Sequence, residues 1–245
     1  MNTDTNAPLI VALDSSPDSI AALEATVLLA KMVRHPIIAL HAQPHDKPDP
    51  VPGRLAADMA LTCDVAIDFR EIQGNPATLF TSAARSSLLT AAGRNSPGAS
   101  CCQHLGSIAV ALLEDPGSTV LLWKKDASLD DSFLVINDGS PPAVHALQAA
   151  ALLAPPGTDL HIFVTGAAAA TKEELLEQQA SSLMPGRTEK INIHPVPWDD
   201  PMRLAQCIGM TELGTLVIAK ASPVAQQGKS AELARYLDYP ILAVC

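Results

Sequence analysis

A glycine-containing loop is the stretch of this sequence whose residue types and spacing are best suited to chemistry. The loop begins at Gly93, directly after the apolar run "SLLTAA" (Ser87–Ala92), and it ends at Gly106 and Ser107, where a second apolar run begins. Glycines let backbone N–H groups approach phosphate oxygens, and the positive end of a following helix attracts anions. The loop therefore indicates phosphate binding, provided that a strand precedes it and a helix follows it.

The turn Asp14–Ser19, with the sequence Asp-Ser-Ser-Pro-Asp-Ser, is a second candidate for phosphate chemistry. ATP pyrophosphatases, which are enzymes of a related α/β fold, have a phosphate-binding loop similar to Ser-Gly-Gly-x-Asp-Ser in the same position, directly after their first strand. Here Ser16 and Pro17 replace the two glycines, and Pro17 has no N–H to donate. The simpler interpretation is a helix start, in which Ser15, Ser16 or Asp18 caps the helix and Pro17 lies in its first turn. We favour the helix start and keep the enzyme as a minor alternative.

The histidines and cysteines do not form a recognisable catalytic or metal-binding pattern. No two of the seven histidines are spaced as metal ligands on a predicted helix, and no Gly-x-Ser-x-Gly motif occurs. His41 lies near the end of a predicted strand, and we interpret it as a partly buried, hydrogen-bonded side chain. The cysteines are odd in number and lack two-residue-spaced pairs, which disfavours a disulfide framework or a zinc ribbon. We expect neither catalytic residues nor a metal site.

The chain repeats itself at a constant offset. The segment Leu9–Ala30 matches the segment Phe133–Ala154 without a gap, and the offset is 138 − 14 = 124. The two halves also end alike, with a glycine, a predicted helix, a proline-containing turn and an apolar strand. Between the halves lies the polar segment "KKDASLDDS". We therefore predict a first domain over residues 1–124, a linker over 125–131 and a second domain over 132–245.

Strands alternate with helices in both halves, which predicts a parallel sheet with helices on both faces. The predicted strands of the first half are Leu9–Leu13, Ile37–Ala42, Val65–Ile72, Ser87–Ala92 and Thr119–Trp123, and the helices are Ser19–Val33, Gly53–Cys63, one after Pro76 and one from near Ser107. The second half contains predicted strands at Asp159–Val164, Lys190–Val196, Leu213–Ala219 and Ile241–Cys245, and a helix around Lys172–Met184. The fold class is α/β, with two tandem, doubly wound, five-stranded parallel-sheet domains.

Charge and hydropathy exclude several classes of partner. The formal net charge is −10, and the acidic residues are scattered, which argues against nucleic acid or anionic membrane as a partner. No apolar run reaches the roughly 18–20 residues that span a bilayer, and the N-terminus lacks a basic region ahead of an apolar one. We expect a cytoplasmic protein.

In ordered combination, these segments resemble the universal stress protein family in its tandem, two-domain form. The segments that carry the resemblance are "VALDSS" and "VINDGS" at the end of the first strand of each half, "LHA" at the end of strand two, "EIQGNPATLFTSAA", and "GRNSPGASCCQHLGS" after strand four. The resemblance implies a fold similar to that of the adenine nucleotide alpha hydrolases. It also implies that the fifth strands of the two halves pair, so that the chain forms an intramolecular pseudo-dimer.

The resemblance also implies a nucleotide site in the first domain. Nucleotide-binding members carry Gly-x-x-Gly, nine residues, and then Gly-Ser or Gly-Thr; Gly93, Ser96, Gly106 and Ser107 match this pattern, with the span 106 − 93 = 13 preserved. Ser96 replaces the middle glycine, and we expect this change to weaken phosphate binding without excluding it. Asp14 and Ala42 are similarly placed to family residues that border the adenine base.

The second domain departs further from the family pattern. Lys220 stands where we expect the first glycine, Leu233 stands thirteen residues later, and the loop between strand and helix is shortened. "GKS" (Gly228–Ser230) is not a phosphate loop, because Pro223 occupies the position that needs a glycine. We expect no nucleotide site of the family type here.

The function implied by the resemblance is a cytoplasmic stress-response protein that binds an adenine nucleotide, ATP with magnesium, in its first domain. It would not be an enzyme, beyond a trace ATPase activity. The alternative is a scaffold that binds no nucleotide and acts through a protein partner, and Ser96 and the degenerate second site favour it. A further dimer of chains is compatible with either function.

Overall fold

The computed structural model describes residues 7–43, 49–95, 105–165, 190–196, 200–210, 214–226 and 228–245. The chain divides into two compact units, Met1–Asp126 and Ala127–Cys245. Each unit has a five-stranded parallel sheet between helices, which confirms the predicted fold class. The predicted helix around Lys172–Met184 lies outside the described residues.

The first unit alternates strands and helices from its first strand to its last. Its strands are β1 (Leu9–Ala12), β2 (Ile37–Gln43), β3 (Ile67–Gln73), β4 (Leu89–Gly93) and β5 (Val120–Trp123). Its described helices are α1 (Pro17–Val33), α2 (Val51–Cys63), α3 (Pro76–Ala84) and α4 (Ser107–Glu114).

The strand order of the first sheet is β3-β2-β1-β4-β5. Chain order therefore reverses between β1 and β4, which pair in parallel from Leu9↔Leu89 to Ala12↔Ala92. In open α/β sheets, ligands bind beyond the carboxyl ends of the strands at such a reversal, because the connections leave in opposite directions and open a crevice. The fold thus provides one favoured place for a site.

The turn after β1 starts helix α1, as the simpler interpretation of that turn predicted. Ser16 is the N-cap, and its hydroxyl accepts a hydrogen bond from the Ser19 N–H at 3.2 Å. Pro17 occupies the first turn, where its missing N–H costs nothing. Arg34 ends the helix with φ +60°. The same chemistry starts α3, where the Asn75 side chain accepts from the Thr78 N–H.

The second unit repeats this plan. Its strands are β6 (Ser132–Asn137), β7 (Leu160–Thr165), β8 (Ile191–Val196), β9 (Gly214–Ala219) and β10 (Ile241–Val244), in the order β10-β9-β6-β7-β8. Its described helices are α5 (Pro141–Leu153), α6 (Pro201–Gly209) and α7 (Lys229–Tyr236).

The cores of both units are built from aliphatic side chains. β1 and β6 are buried along their whole lengths, as are β4 up to Ala92, β5, β9 and β10. Continuous burial is typical of central strands in a parallel sheet that is covered on both faces. None of the described helices is long and apolar enough to cross a membrane.

The second sheet holds a pair of histidines on neighbouring strands. His161 Nδ1 on β7 lies 3.0 Å from His194 Nε2 on β8, and the two rings are nearly parallel. His194 also stacks on Phe163. Burial lowers the pKa of His194 below 6.5, and the nearby His161 lowers it further. Sequence spacing does not indicate this pair, because it depends on the register of β7 against β8.

We predict that this pair makes the second unit less stable in mild acid. Because the pKa of His194 is lower folded than unfolded, the unfolded chain binds more protons as the pH falls through 6.5, and the stabilisation present above that pH is lost. Melting temperatures at about pH 7.5 and about pH 5.5 measure the effect. His194→Phe should flatten the dependence, and an unchanged slope in that variant would contradict the assignment.

Candidate functional site

A cavity of about 160 Å³ lies at the reversal of strand order in the first unit. Its floor is formed by the carboxyl ends of β1, β2 and β4, and its sides are formed by the starts of α3 and α4. The lining residues are Ala12, Leu13, Asp14, Ser16, Ser19, His41, Ala42, Pro76, Phe80, Ala92, Gly93, Asn95, Gly106, Ser107, Ile108 and Ala109. Five of the six residues predicted for the nucleotide site are in this set; Ser96, the sixth, lies outside the described residues.

Asp14 lies at the cavity with one carboxylate oxygen engaged locally. Its Oδ1 accepts from the Ser16 N–H at 2.8 Å, and the Ser19 hydroxyl donates to its carbonyl at 2.8 Å. Asp138, its equivalent in the second unit, makes the same bond with the Ser140 N–H at 3.0 Å. The Oδ1 bond is therefore part of the turn in both units, and Oδ2 of Asp14 is the oxygen that can serve a ligand.

Gly93 is a glycine because helix α1 lies against it. A Cβ at this position would be 2.9 Å from the Ser19 backbone nitrogen and 3.1 Å from Asp18. This close approach explains the glycine without any phosphate. Asp18 then holds the start of the loop, because its carboxylate accepts from the Asn95 N–H at 3.1 Å and from the Asn95 side-chain amide at 2.7 Å. The Lys125 N–H donates to the other oxygen of Asp18 at 2.9 Å.

Gly106 does not present its own amide to the cavity. Its N–H donates to the Arg94 carbonyl at 3.0 Å and is therefore already used within the protein. The amides that follow are better placed. Gly106 is the N-cap of α4 and has no side chain, so among the described residues no capping side chain accepts from the N–H groups of Ser107, Ile108 and Ala109. All three residues line the cavity, so the start of α4 is the part of the cavity with the chemistry to bind an anion.

The β2 side of the cavity is formed by Ala42 and His41. Ala42 lines the cavity at the end of the strand, on the side that the resemblance assigns to the base. His41 is 6% exposed, and its Nδ1 lies 2.9 Å from the Leu13 carbonyl oxygen. Phe80, which is 2% exposed, adds an apolar wall. The cavity therefore combines apolar walls with few polar groups, which is typical of small-molecule sites.

The register of the second sheet corrects one alignment made from sequence. Leu9 pairs with Leu89, and Phe133 pairs with Thr215, so positions in β4 and β9 differ by 215 − 89 = 126. The equivalent of Gly93 is therefore Ala219, and Lys220 is the equivalent of Arg94. Both residues are buried, since Lys220 is 6% exposed and Arg94 is 0% exposed. The backbone N–H of Arg94 donates to the Trp123 carbonyl at the end of β5, and that of Lys220 donates to the Val244 carbonyl at the end of β10.

In the second unit, side chains fill the equivalent space. Ile136 and Ile218 stand where the first unit has Ala12 and Ala92, and about 10 Å³ remains between the described residues there. The loop from β9 to α7 is also shorter, with 228 − 219 = 9 against 106 − 93 = 13. Val224 and Ala225 from this short loop line the remnant.

The start of α7 is also closed by hydrogen bonds. Ser230 donates both its N–H and its hydroxyl to the Ala225 carbonyl, at 3.2 and 2.8 Å. The Lys229 N–H donates to the Gln226 carbonyl at 3.3 Å. Two of the three N–H groups at the start of α4, those of Ser107 and Ile108, thus have counterparts in the second unit, Lys229 and Ser230, that are already bonded.

Solved structures with this fold superpose on nearly the whole chain. A universal stress protein from Archaeoglobus fulgidus DSM 4304 superposes with a TM-score of 0.68 at 18% identity, covering 97% of this chain and 97% of that chain. The chain has the universal stress protein fold. A functionally unknown protein from Pseudomonas aeruginosa PAO1 superposes with a TM-score of 0.64 at 15% identity, covering 100% of this chain and 94% of that one. No family model matches the sequence, and no curated protein matches it.

Within this universal stress protein fold, the polar groups of the cavity are segregated. The Asp14 carboxylate and His41 lie at the ends of β1 and β2, Asn95 with its unpartnered Oδ1 lies beyond the end of β4, and N–H donors lie at the start of α4. A ligand that fits must have an anionic end and an uncharged end. The described residues contain no group of three or more His, Cys, Asp or Glu that could hold a metal ion.

Proposed function

We propose that the first unit binds one adenine nucleotide, ATP, and that the chain acts as a cytoplasmic, non-catalytic stress-response protein. The observation that carries this proposal is the difference between the two units. The first unit has an open cavity beside the N–H groups at the start of α4, whereas the described residues of the second unit fill the equivalent space and bond two of the equivalent N–H groups.

The dimensions of the cavity suit one end of a nucleotide. Its 160 Å³ is below the roughly 300–1,000 Å³ of pockets that enclose a drug-sized ligand. We therefore place the base and ribose in the cavity, against Phe80 and Ala42, and the phosphates over the start of α4. The phosphates cannot lie at the other end, because the Asp14 carboxylate there would repel them.

Magnesium enters this proposal with the nucleotide. The described residues offer no cluster of metal ligands, so phosphate oxygens and water would supply most of its coordination. The chemistry that magnesium supplies is neutralisation of phosphate charge near an acidic protein.

The pyrophosphatase alternative has little support from the turn after β1. The Ser16 N–H is donated to Asp14, the Ser19 N–H is donated to Ser16, and Pro17 has none. These positions thus offer no amide with which to wrap a pyrophosphate. We propose at most a trace ATPase activity.

One observation favours the scaffold alternative. Because the Gly106 amide is bonded to Arg94, the first unit has one donor fewer than the family pattern implies. In that alternative the chain binds no nucleotide and acts through a protein partner, alone or as a dimer of chains.

Calorimetry with ATP and magnesium tests the proposal. We expect saturable binding with a stoichiometry near one per chain, because the described part of the second unit fills the space that is open in the first. Absence of heat at millimolar ATP would favour the scaffold, and a stoichiometry of two would contradict the assignment to one unit. Mass spectrometry of the denatured protein gives an independent check, since a co-purifying adenylate should be released.

A further inference from the structure

Two of the residues that line the cavity, Asn95 and His41, have a buried polar side-chain atom without a partner among the residues that the structure describes: Asn95 Oδ1 and His41 Nε2. His41 Nε2 is shielded from solvent and makes no hydrogen bond to any described residue. Buried nitrogens of this kind are rare, since the loss of hydration is not repaid, and each one calls for an explanation. His41 is one of the residues that line the cavity, so we infer that a ligand is the partner of Nε2. Because solvent does not reach Nε2 from the cavity, the wall beside this atom must shift when the ligand enters.

The backbone determines which role this atom has. A carbonyl oxygen can only accept, so the 2.9 Å contact between His41 Nδ1 and the Leu13 carbonyl requires the proton on Nδ1. In the neutral ring, Nε2 then carries a lone pair and acts as an acceptor. The ligand must present a hydrogen-bond donor to it.

We propose that His41 determines the base specificity of the cavity, by accepting a hydrogen bond at Nε2 from the 6-amino group of adenine. This inference rests on the proposed function, because it requires that a nucleotide occupies the cavity. A 6-oxo purine would place an oxygen lone pair against the Nε2 lone pair. A purine without a 6-substituent would leave Nε2 unpaired. Discrimination thus follows from the orientation that Leu13 imposes on the ring.

The arrangement of the other groups agrees with this orientation. The phosphates are drawn to the amides at the start of α4, and Asp14 repels them from the β1 end. The base therefore lies towards β1 and β2, where His41 stands. Ala42, which follows His41 on β2, keeps that end open.

The test compares three triphosphates with wild-type protein and two variants. ATP should bind roughly 2- to 12-fold more tightly than purine riboside triphosphate, which lacks the amino group, and inosine triphosphate should bind more weakly still. His41→Phe should reduce these preferences to less than about twofold. His35→Phe is the matched control, because His35 Nδ1 also contacts a backbone carbonyl, that of Ala7, but does not line the cavity.

The outcomes separate this inference from the proposed function. If wild-type protein binds ATP and purine riboside triphosphate equally, the role of His41 is overturned and nucleotide binding stands. If wild-type protein binds no nucleotide, both are overturned. If His41→Phe does not fold, ¹⁵N NMR of the wild-type ring decides: ATP should shift the Nε2 resonance and purine riboside triphosphate should not. Equal shifts with both ligands would overturn the inference.

Discussion

Replacing Gly106 with aspartate is expected to weaken ATP binding at least about tenfold without damaging the fold. Gly106 has φ −62° and ψ 152°, which aspartate adopts without strain. An aspartate at this N-cap accepts from the first free amides of α4, and this should stabilise the helix by about 0.3 kcal/mol relative to glycine. The same carboxylate places a negative charge where the phosphates bind. Calorimetry with ATP and thermal unfolding measure the two effects.

Gly106→Asn is the matched control for this substitution. Asparagine caps the same amides with nearly the same shape but carries no charge. We expect it to lower ATP affinity less than aspartate does. Equal losses with both substitutions would show that capping, and not charge, removes the ligand. No loss with either would place the phosphates somewhere other than the start of α4.

Among the substitutions proposed for this protein, Gly214→Ala is expected to lower the free energy of unfolding the most. A Cβ at Gly214 would overlap the Ser132 carbonyl oxygen and would lie 2.9 Å from the carbonyl carbon. Gly214 pairs with Ser132 at the start of the β6–β9 ladder, so backbone must move in two central strands of the second sheet. Overpacking of this kind costs roughly 3 kcal/mol, which corresponds to a fall in melting temperature of roughly 10–20 °C.

Gly209→Ala is the matched control in the same unit. Its Cβ would meet nothing closer than a Leu237 methyl carbon at 3.9 Å among the described residues, and Gly209 lies in helix α6. Alanine there should leave stability unchanged or raise it by up to about 1 kcal/mol. Chemical unfolding of both variants gives the comparison. A loss below about 1 kcal/mol for Gly214→Ala would contradict the described start of the ladder.

The internal repeat made the fold predictable, because the constant offset of 138 − 14 = 124 requires two copies of one alternating unit. The helix starts predicted from the sequence are less accurate than the predicted fold. The structure begins α1 at Pro17 and α2 at Val51, earlier than the predicted Ser19 and Gly53. Both helices have a proline in their first turn, Pro17 in α1 and Pro52 in α2, and each helix start predicted from hydrophobic periodicity falls after that proline.

The site was predictable in location but not in chemistry. Residues at strand ends converge wherever parallel strands meet, so Asp14, Ala42 and Gly93 could be placed together from sequence. The hydrogen bond of the Gly106 amide to the Arg94 carbonyl could not be predicted from sequence, because it depends on how the loop folds back. The Lys220 alignment failed because β9 is buried on both faces, so its apolar residues carry no alternation from which to infer register.

The short β9–α7 loop limits how the chain can respond to its ligand. A second site would require 13 − 9 = 4 more residues of backbone as well as smaller side chains at Ile136 and Ile218, so no point substitution restores it. A single chain with the one proposed site has no second site to couple to. Its saturation curve should therefore be a simple hyperbola, and any sigmoidal response would have to come from association between chains.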